Sequence, residues 1–213
     1  MGHAETGHRW TGRLILWAGV VLVALALSVL VGLTSGSSGV SWTTAIRIVL
    51  HRLSLPGAGP AADWSPVAET IVWRLRLPRV LLAVEVGAGL AAAGAGLQGL
   101  LRNPLADPYT LGVSSGAALA AAAYIVFGGL LSAGVLVGSP LALPVVAFAG
   151  ALLTLLAVYR LAARRGKLLG ETVILAGIVT ISFAGAALSV IMAMADQHLQ
   201  QVVFWLMGSL ALR

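Results

Sequence analysis

Gly112-Val113-Ser114-Ser115-Gly116 has the G-x-S-x-G spacing of a hydrolase nucleophile elbow, in which a sharp strand-to-helix turn exposes a serine hydroxyl. The chemistry would be acyl transfer through Ser114. It needs a strand before the serine and a histidine within reach. Here the motif opens an apolar run, and His198, the only histidine downstream, lies past the last long apolar block. That order puts His198 at the opposite membrane face from Ser114, so the five residues read as the small-residue start of a helix. Glu85 lies inside another apolar run, six residues past Arg79. An ionisable group in such a run is costly in lipid, and it faces a bundle interior, a water-filled path or the interface. Arg76 and Arg79 flank Pro78, and two guanidiniums three residues apart could meet carboxylates or lipid phosphates in charge-assisted hydrogen bonds. Asn103-Pro104 and Asp107-Pro108 bracket a tight turn. Asp107 suits a helix cap there, and the Asn103 amide suits either the turn or the lining of an aqueous path. Cysteine is absent, which removes disulfides, thiolate nucleophiles and thiolate metal sites. No residue is assigned to catalysis, to a metal or to a cofactor.

These polar groups are carried by elements that belong in a membrane. Of 213 residues, 59% are hydrophobic and only 9% charged, with a mean hydropathy of +0.99; a soluble domain would carry about 25% charge. The apolar residues fall in blocks rather than stripes, so the bilayer is the solvent. The net charge of +6 comes from basic residues placed between those blocks, with no aromatic-interleaved patch. Contact with lipid head groups and control of topology explain it, and nucleic acid is excluded as a partner.

Five spans are predicted: Leu14–Leu33, Val80–Leu101, Leu111–Leu131, Leu141–Tyr159 and Thr172–Ala195. The fold class is therefore all-α, a polytopic transmembrane helical bundle, because backbone groups in lipid must be satisfied within helices. The first block follows Arg9 and Arg13 as a signal peptide would, but its length reads as a retained span, with cleavage after Gly36 or Ser37 as the alternative. Residues 1–13 form a tail, 14–33 the first span, 34–79 a connection, and 80–213 the remaining spans with a short end segment. Within the connection, Val40–Leu50 predicts an interfacial amphipathic helix anchored by Trp42, Leu55–Pro60 a flexible break, and Ser65–Arg74 a short helix capped by Ser65. The second span is expected to have a proline-marked turn at each end. Its glycines and alanines, and those that follow in Ser114–Ala117, suit close helix packing.

With the N-terminus inside, seven basic residues fall on the cytoplasmic side and six outside, so charge alone barely orients the chain. The compact cluster Arg160–Lys167 favours N-inside, and a basic group held outside against the rule implies a partner there.

Taken in order, Arg76-Leu77-Pro78-Arg79, the glycine-rich helix with Gln98, Arg102-Asn103-Pro104-Leu105-Ala106-Asp107-Pro108, Leu111–Ala117 and Phe204-Trp205-Leu206-Met207-Gly208-Ser209 form a recognisable series. The chain resembles the permease subunits of bacterial ABC importers for iron–siderophore complexes, haem and vitamin B12. The resemblance runs from Trp10 to Leu210. It implies a cytoplasmic-membrane protein with the N-terminus inside and an external Arg-Leu-Pro-Arg segment, where Arg76 and Arg79 pair with glutamates of a substrate-binding protein. It implies that Asn103 and Leu105 belong to a cytoplasmic gate. The start of the fifth span, with Glu171 and Thr172, would lie beside that gate, and Glu85 would be a further polar group on the path. The implied partners are a cytoplasmic ATPase, an external binding protein, a second permease subunit and membrane lipid. The implied mechanism is alternating access. Such permeases have about ten spans, so five here imply a single truncated permease domain, and an apolar residue is usual where Glu85 stands.

Two other classes compete. A membrane enzyme rests on Gly112–Gly116 alone, and labelling of Ser114 by a fluorophosphonate would support it. A non-transporting scaffold or pseudo-subunit would be opposed by neighbouring genes for an ATPase and a binding lipoprotein. The chain has no G-x-x-x-x-G-K-[ST] loop for ATP, so hydrolysis is expected on a partner. The cargo is not legible: cobalamin and haem are alternatives to an iron chelate.

Overall fold

The computed structural model describes residues 3–36, 39–54, 63–131, 139–164, 167–168 and 170–208. Ser37, the Leu55–Pro60 break, Arg165 within the basic cluster, and Ser209 lie outside them. The chain forms two compact units divided after Val86.

The first unit begins with α1 (His3–Thr34), which contains the first predicted span. Its apolar side chains are exposed over most of its length, from Leu14 at 68% to Leu27 at 57%. Exposure of this kind has a low free energy only with lipid as solvent. The last turn differs: Leu33 is buried with Ala45, Ile48 and Val72, and Val29, Trp64 and Val80 pack around them. Ala45 and Ile48 come from α2 (Trp42–Arg52), the expected interfacial helix. Ser41 caps it by accepting from the Thr44 amide at 3.2 Å, and the spacing of three puts both apolar residues on one face. Full burial of Ile48 and Val72 contributes about 1.5–3 kcal/mol each.

Ser65 caps α3 (Pro66–Glu69) as expected, accepting from Ala68 N–H at 3.1 Å. The expected turn at Pro78 does not form. From α3 the chain passes through a π-helical stretch, Thr70–Arg76, directly into α4 (Leu77–Leu101), giving 36 continuous helical residues from Pro66 to Leu101. Proline inside a helix lacks an N–H and its ring crowds the carbonyl four residues back. The wider turn, with Leu77 N–H bonded to Val72 C=O, relieves that crowding just ahead of Pro78. The helix absorbs the proline instead of ending at it.

The second unit holds the end of α4, a 3-10 turn at Pro108–Leu111, and α5 (Val113–Leu131). It continues with α6 (Ala142–Ala162), α7 (Gly170–Ala193) and, after a 3-10 turn at Asp196–His198, α8 (Leu199–Leu206). Between α6 and α7 a two-residue ladder pairs β1 (Ala163–Arg164) with β2 (Lys167–Leu168), a tight reversal that leaves the all-α class intact. Among the described residues four helices are long and apolar enough to cross a membrane, with Val113–Gly128 a shorter apolar helix. α5 as a whole has 19 residues, a rise of about 28 Å at 1.5 Å per residue, close to a hydrocarbon core. The third span starts at Val113 rather than Leu111 because Gly112 is left-handed, at φ 72°. The fourth predicted span, α6, continues past Tyr159 to Ala162, and its Pro144 sits in the first turn, where no partner is lost. Val158, Ala162, Val173 and Ala176 form the core where α6 and α7 meet, with Leu101 and Leu111 against them.

Candidate functional site

The loop from α4 to α5 is held by its own polar groups. α4 ends at Leu101, and Arg102 takes a left-handed conformation at φ 49°. Asn103 N–H then reaches back to Gln98 C=O at 3.2 Å, the six-to-one bond of a Schellman ending. A side chain at that position costs about 1–2 kcal/mol relative to glycine, and Pro104 stops any continuation. The Gln98 amide donates to Pro104 C=O at 3.1 Å, so one residue anchors the turn twice. Asn103 Oδ1 accepts from Leu105 N–H at 2.9 Å and Asn103 C=O from Ala106 N–H at 3.1 Å. This turn drives Leu105 outward, 85% exposed, and buries Ala106 at 4%.

Asp107 caps, as its position suggested, but it caps the 3-10 turn rather than α5. Its Oδ1 accepts from Tyr109 N–H at 2.9 Å, and its carbonyl accepts from Thr110 N–H at 3.0 Å and Thr110 Oγ1 at 2.6 Å. Ser114 lies exposed one residue into α5, and a 3-10 turn precedes it. The strand that a nucleophile elbow requires is therefore absent at this point of the chain, and Gly116 is consumed by packing against α6.

The start of α7 joins this loop. A Cβ on Gly177 would stand 2.0 Å from Thr110 O, and one on Gly170 would stand 3.5 Å from Leu101 O. Only glycine permits the first approach. Thr172 Oγ1 donates to Ala162 C=O at 3.2 Å, tying α7 to the end of α6, while Glu171 is exposed in the first turn of α7. α7 thus meets the end of α4 at Leu101 and the 3-10 turn at Thr110, the two sides of the Asn103–Leu105 turn. The role of Gly177 was missed in the sequence, because one glycine in an apolar helix gives no sign of what approaches it.

In the first unit, Arg76 Nη1 donates to Leu33 C=O at 2.7 Å, at the last turn of α1. Arg79 is exposed, and Glu85 is exposed on α4. Arg47 pairs with Asp63 at 3.0 Å, and its guanidinium carbon lies 5.4 Å from the Trp64 ring centre. The hydrogen bond from Arg47 holds the Asp63 carboxyl below its ordinary range. Arg52 bonds Glu69, and His51 meets Trp64 edge-on at 5.5 Å.

Among the described residues, four helices long and apolar enough to cross a bilayer define a multi-pass membrane protein. The chain belongs to the FecCD transport family, which it matches over residues 22–213. It is 41% identical over 192 residues to the uncharacterized ABC transporter permease protein YvrB of Bacillus subtilis, covering 89% of this chain and 52% of that one. It is 37% identical over 194 residues to the cobalamin import system permease BtuC of Halobacterium salinarum, covering 88% and 50%. A solved structure described as an inward-facing conformation of a metal-chelate type ABC transporter superposes with a TM-score of 0.60 at 32% identity, over 91% of this chain and 54% of that one. The chain spans about half the length of the relatives it matches.

Proposed function

We propose that this chain is a membrane-embedded part of an ABC importer permease that passes an iron–siderophore or related metal chelate inward by alternating access, with a cobalamin or haem cargo as the neighbouring alternative. The observation that carries the reading is the family match over residues 22–213, and similarity to permeases named for cobalamin import and hemin transport supports this cargo class, although a relative named for molybdate import is 34% identical. ATP hydrolysis falls to a separate cytoplasmic subunit, and a second permease subunit completes the path.

In this reading the Asn103–Leu105 turn closes the cytoplasmic mouth. Leu105 is the group that obstructs, because the Asn103 turn projects it. Glu171 and Thr172 stand at the same mouth, and Glu85 is a polar point on the path. The segment holding Arg76 and Arg79 faces outward and receives an acidic substrate-binding protein. The test is ATP-dependent uptake into proteoliposomes holding the complete importer, with a ferric hydroxamate, haemin and cyanocobalamin offered separately. Accumulation of one, dependent on ATP and on the binding protein, is the expected result. Accumulation of none would overturn the reading.

A further inference from the structure

Asn103 to Ala106 close a turn of their own. Ala106 N–H donates to Asn103 C=O at 3.1 Å, and Leu105 N–H donates to Asn103 Oδ1 at 2.9 Å. Both bonds lie inside the turn, so they fix its shape and leave its direction open. The close approaches of α7 fall on either side of it, Gly170 at Leu101 O and Gly177 at Thr110 O. Two hydrogen bonds join the turn to α4, and both belong to Gln98. Its backbone carbonyl accepts from Asn103 N–H at 3.2 Å, and its side-chain amide donates to Pro104 C=O at 3.1 Å. Among the described residues no other side chain of α4 bonds to the turn. The backbone bond does not depend on the side chain at 98 and acts alone as a pivot. The amide bond supplies the second point, which stops rotation about the first. The peptide between Pro104 and Leu105 is then held from both ends, its carbonyl by Gln98 and its N–H by Asn103. Leu105, 85% exposed, is carried directly on that peptide.

We infer that Gln98 is a positioning residue of the cytoplasmic gate: its side-chain amide sets the direction in which the Asn103–Ala106 turn presents Leu105. This rests on the reading of Leu105 as the group that obstructs the mouth, and it adds Gln98 to that site. Asn103 shapes the turn and Gln98 aims it. The task needs a donor, because the Pro104 carbonyl only accepts, and it needs a side chain long enough to pass the end of its own helix. Glutamine meets both requirements. A neutral hydrogen bond shifts an equilibrium by about two- to tenfold. That is enough to change how often Leu105 blocks the opening, and too little to unfold the end of α4.

The test is entry without ATP into proteoliposomes of the complete importer, scaled to assembled complex, with a ferric hydroxamate, haemin and cyanocobalamin offered separately. L105A should raise the leak of at least one of them. Q98M, which keeps the side-chain length and lacks the donor, should raise that leak about two- to tenfold over wild type. Q98E should match it at neutral pH, since an ionised carboxylate only accepts. In the L105A background Q98M should change the leak by less than about twofold, because no obstructing side chain is left to aim. A residue that merely stabilised the helix end would add to the leak in both backgrounds, and that result refutes the assignment. Failure of both Q98M and Q98E to assemble would make Gln98 structural and refute it as well. Wild-type leak in both variants, with L105A leaking, also refutes it and leaves the gate reading standing. If L105A itself does not leak, the gate reading falls and this inference falls with it.

Discussion

Gly116 of α5 and Gly150 of α6 meet backbone to backbone: a Cβ on Gly150 would lie 2.6 Å from Gly116 O, and a Cβ on Gly116 would lie 2.8 Å from Gly150 O and 1.8 Å from Thr154 Oγ1. Helices in lipid have no water to escape from, so close contact of small residues is what holds them. The last glycine of the hydrolase-like motif is therefore a packing residue.

Gly116→Val should destabilise the α5–α6 pair by about 1–3 kcal/mol or more, because the added carbons meet backbone that cannot yield. Gly185→Ala, where a Cβ meets nothing within 4 Å, should be neutral or stabilising by about 0.5–1 kcal/mol. Thermal unfolding in detergent compares the two. Equal loss in both variants would remove the crossing as the cause.

Arg102→Gly should stabilise the α4–α5 loop by roughly 0.5–1 kcal/mol, since glycine adopts the left-handed conformation without strain but loses more freedom on folding. Asn103→Ala with Leu105→Ala should raise substrate leak without ATP in the complete importer, because the turn relaxes and the obstructing side chain shrinks. An unchanged leak with normal assembly would take both residues out of the gate.

The Asp63–Arg47 contact should depend on pH in one direction. The folded-state pKa of Asp63 is lowered, first by the hydrogen bond from Arg47. Its stabilisation is therefore fully present above the ordinary carboxylate value of about 3.9 and is lost as pH falls through the lower folded value. Trp64 emission, read with Trp10, Trp17, Trp42, Trp73 and Trp205 replaced by Phe, should change in that acid range. Asp63→Asn should abolish the change. A transition that persists in Asp63→Asn would remove the Asp63–Arg47 contact as its cause.

Topology is expected to be N-terminus inside. Cysteine at Ser54 should react with a membrane-impermeant thiol reagent added outside intact cells, and cysteine at Gly166 should be protected. The reverse pattern would invert the orientation.

Much of this architecture is local chemistry and was readable from residues alone. The spans follow from run length against bilayer thickness, the cap at Ser65 from a hydroxyl before a proline-led helix start, and the stop near Arg102 from Asn-Pro. Proline was the exception within that local reading. Pro104 ends a helix and Pro78 does not, because the turn ahead of Pro78 could widen to a π register, and only the folded backbone decides whether room exists for that. The remaining misses are long-range. Arg76 and Leu33 lie 43 positions apart, so nothing in Arg-Leu-Pro-Arg distinguishes the arginine bonded inward from the one exposed. Gly116, Gly150 and Gly177 look like any other glycines of apolar helices, and only the crossing of α5 with α6 and the approach of α7 to Thr110 set them apart. Sequence carries the period and the ends of each helix; which small residue a neighbour presses on is a property of packing.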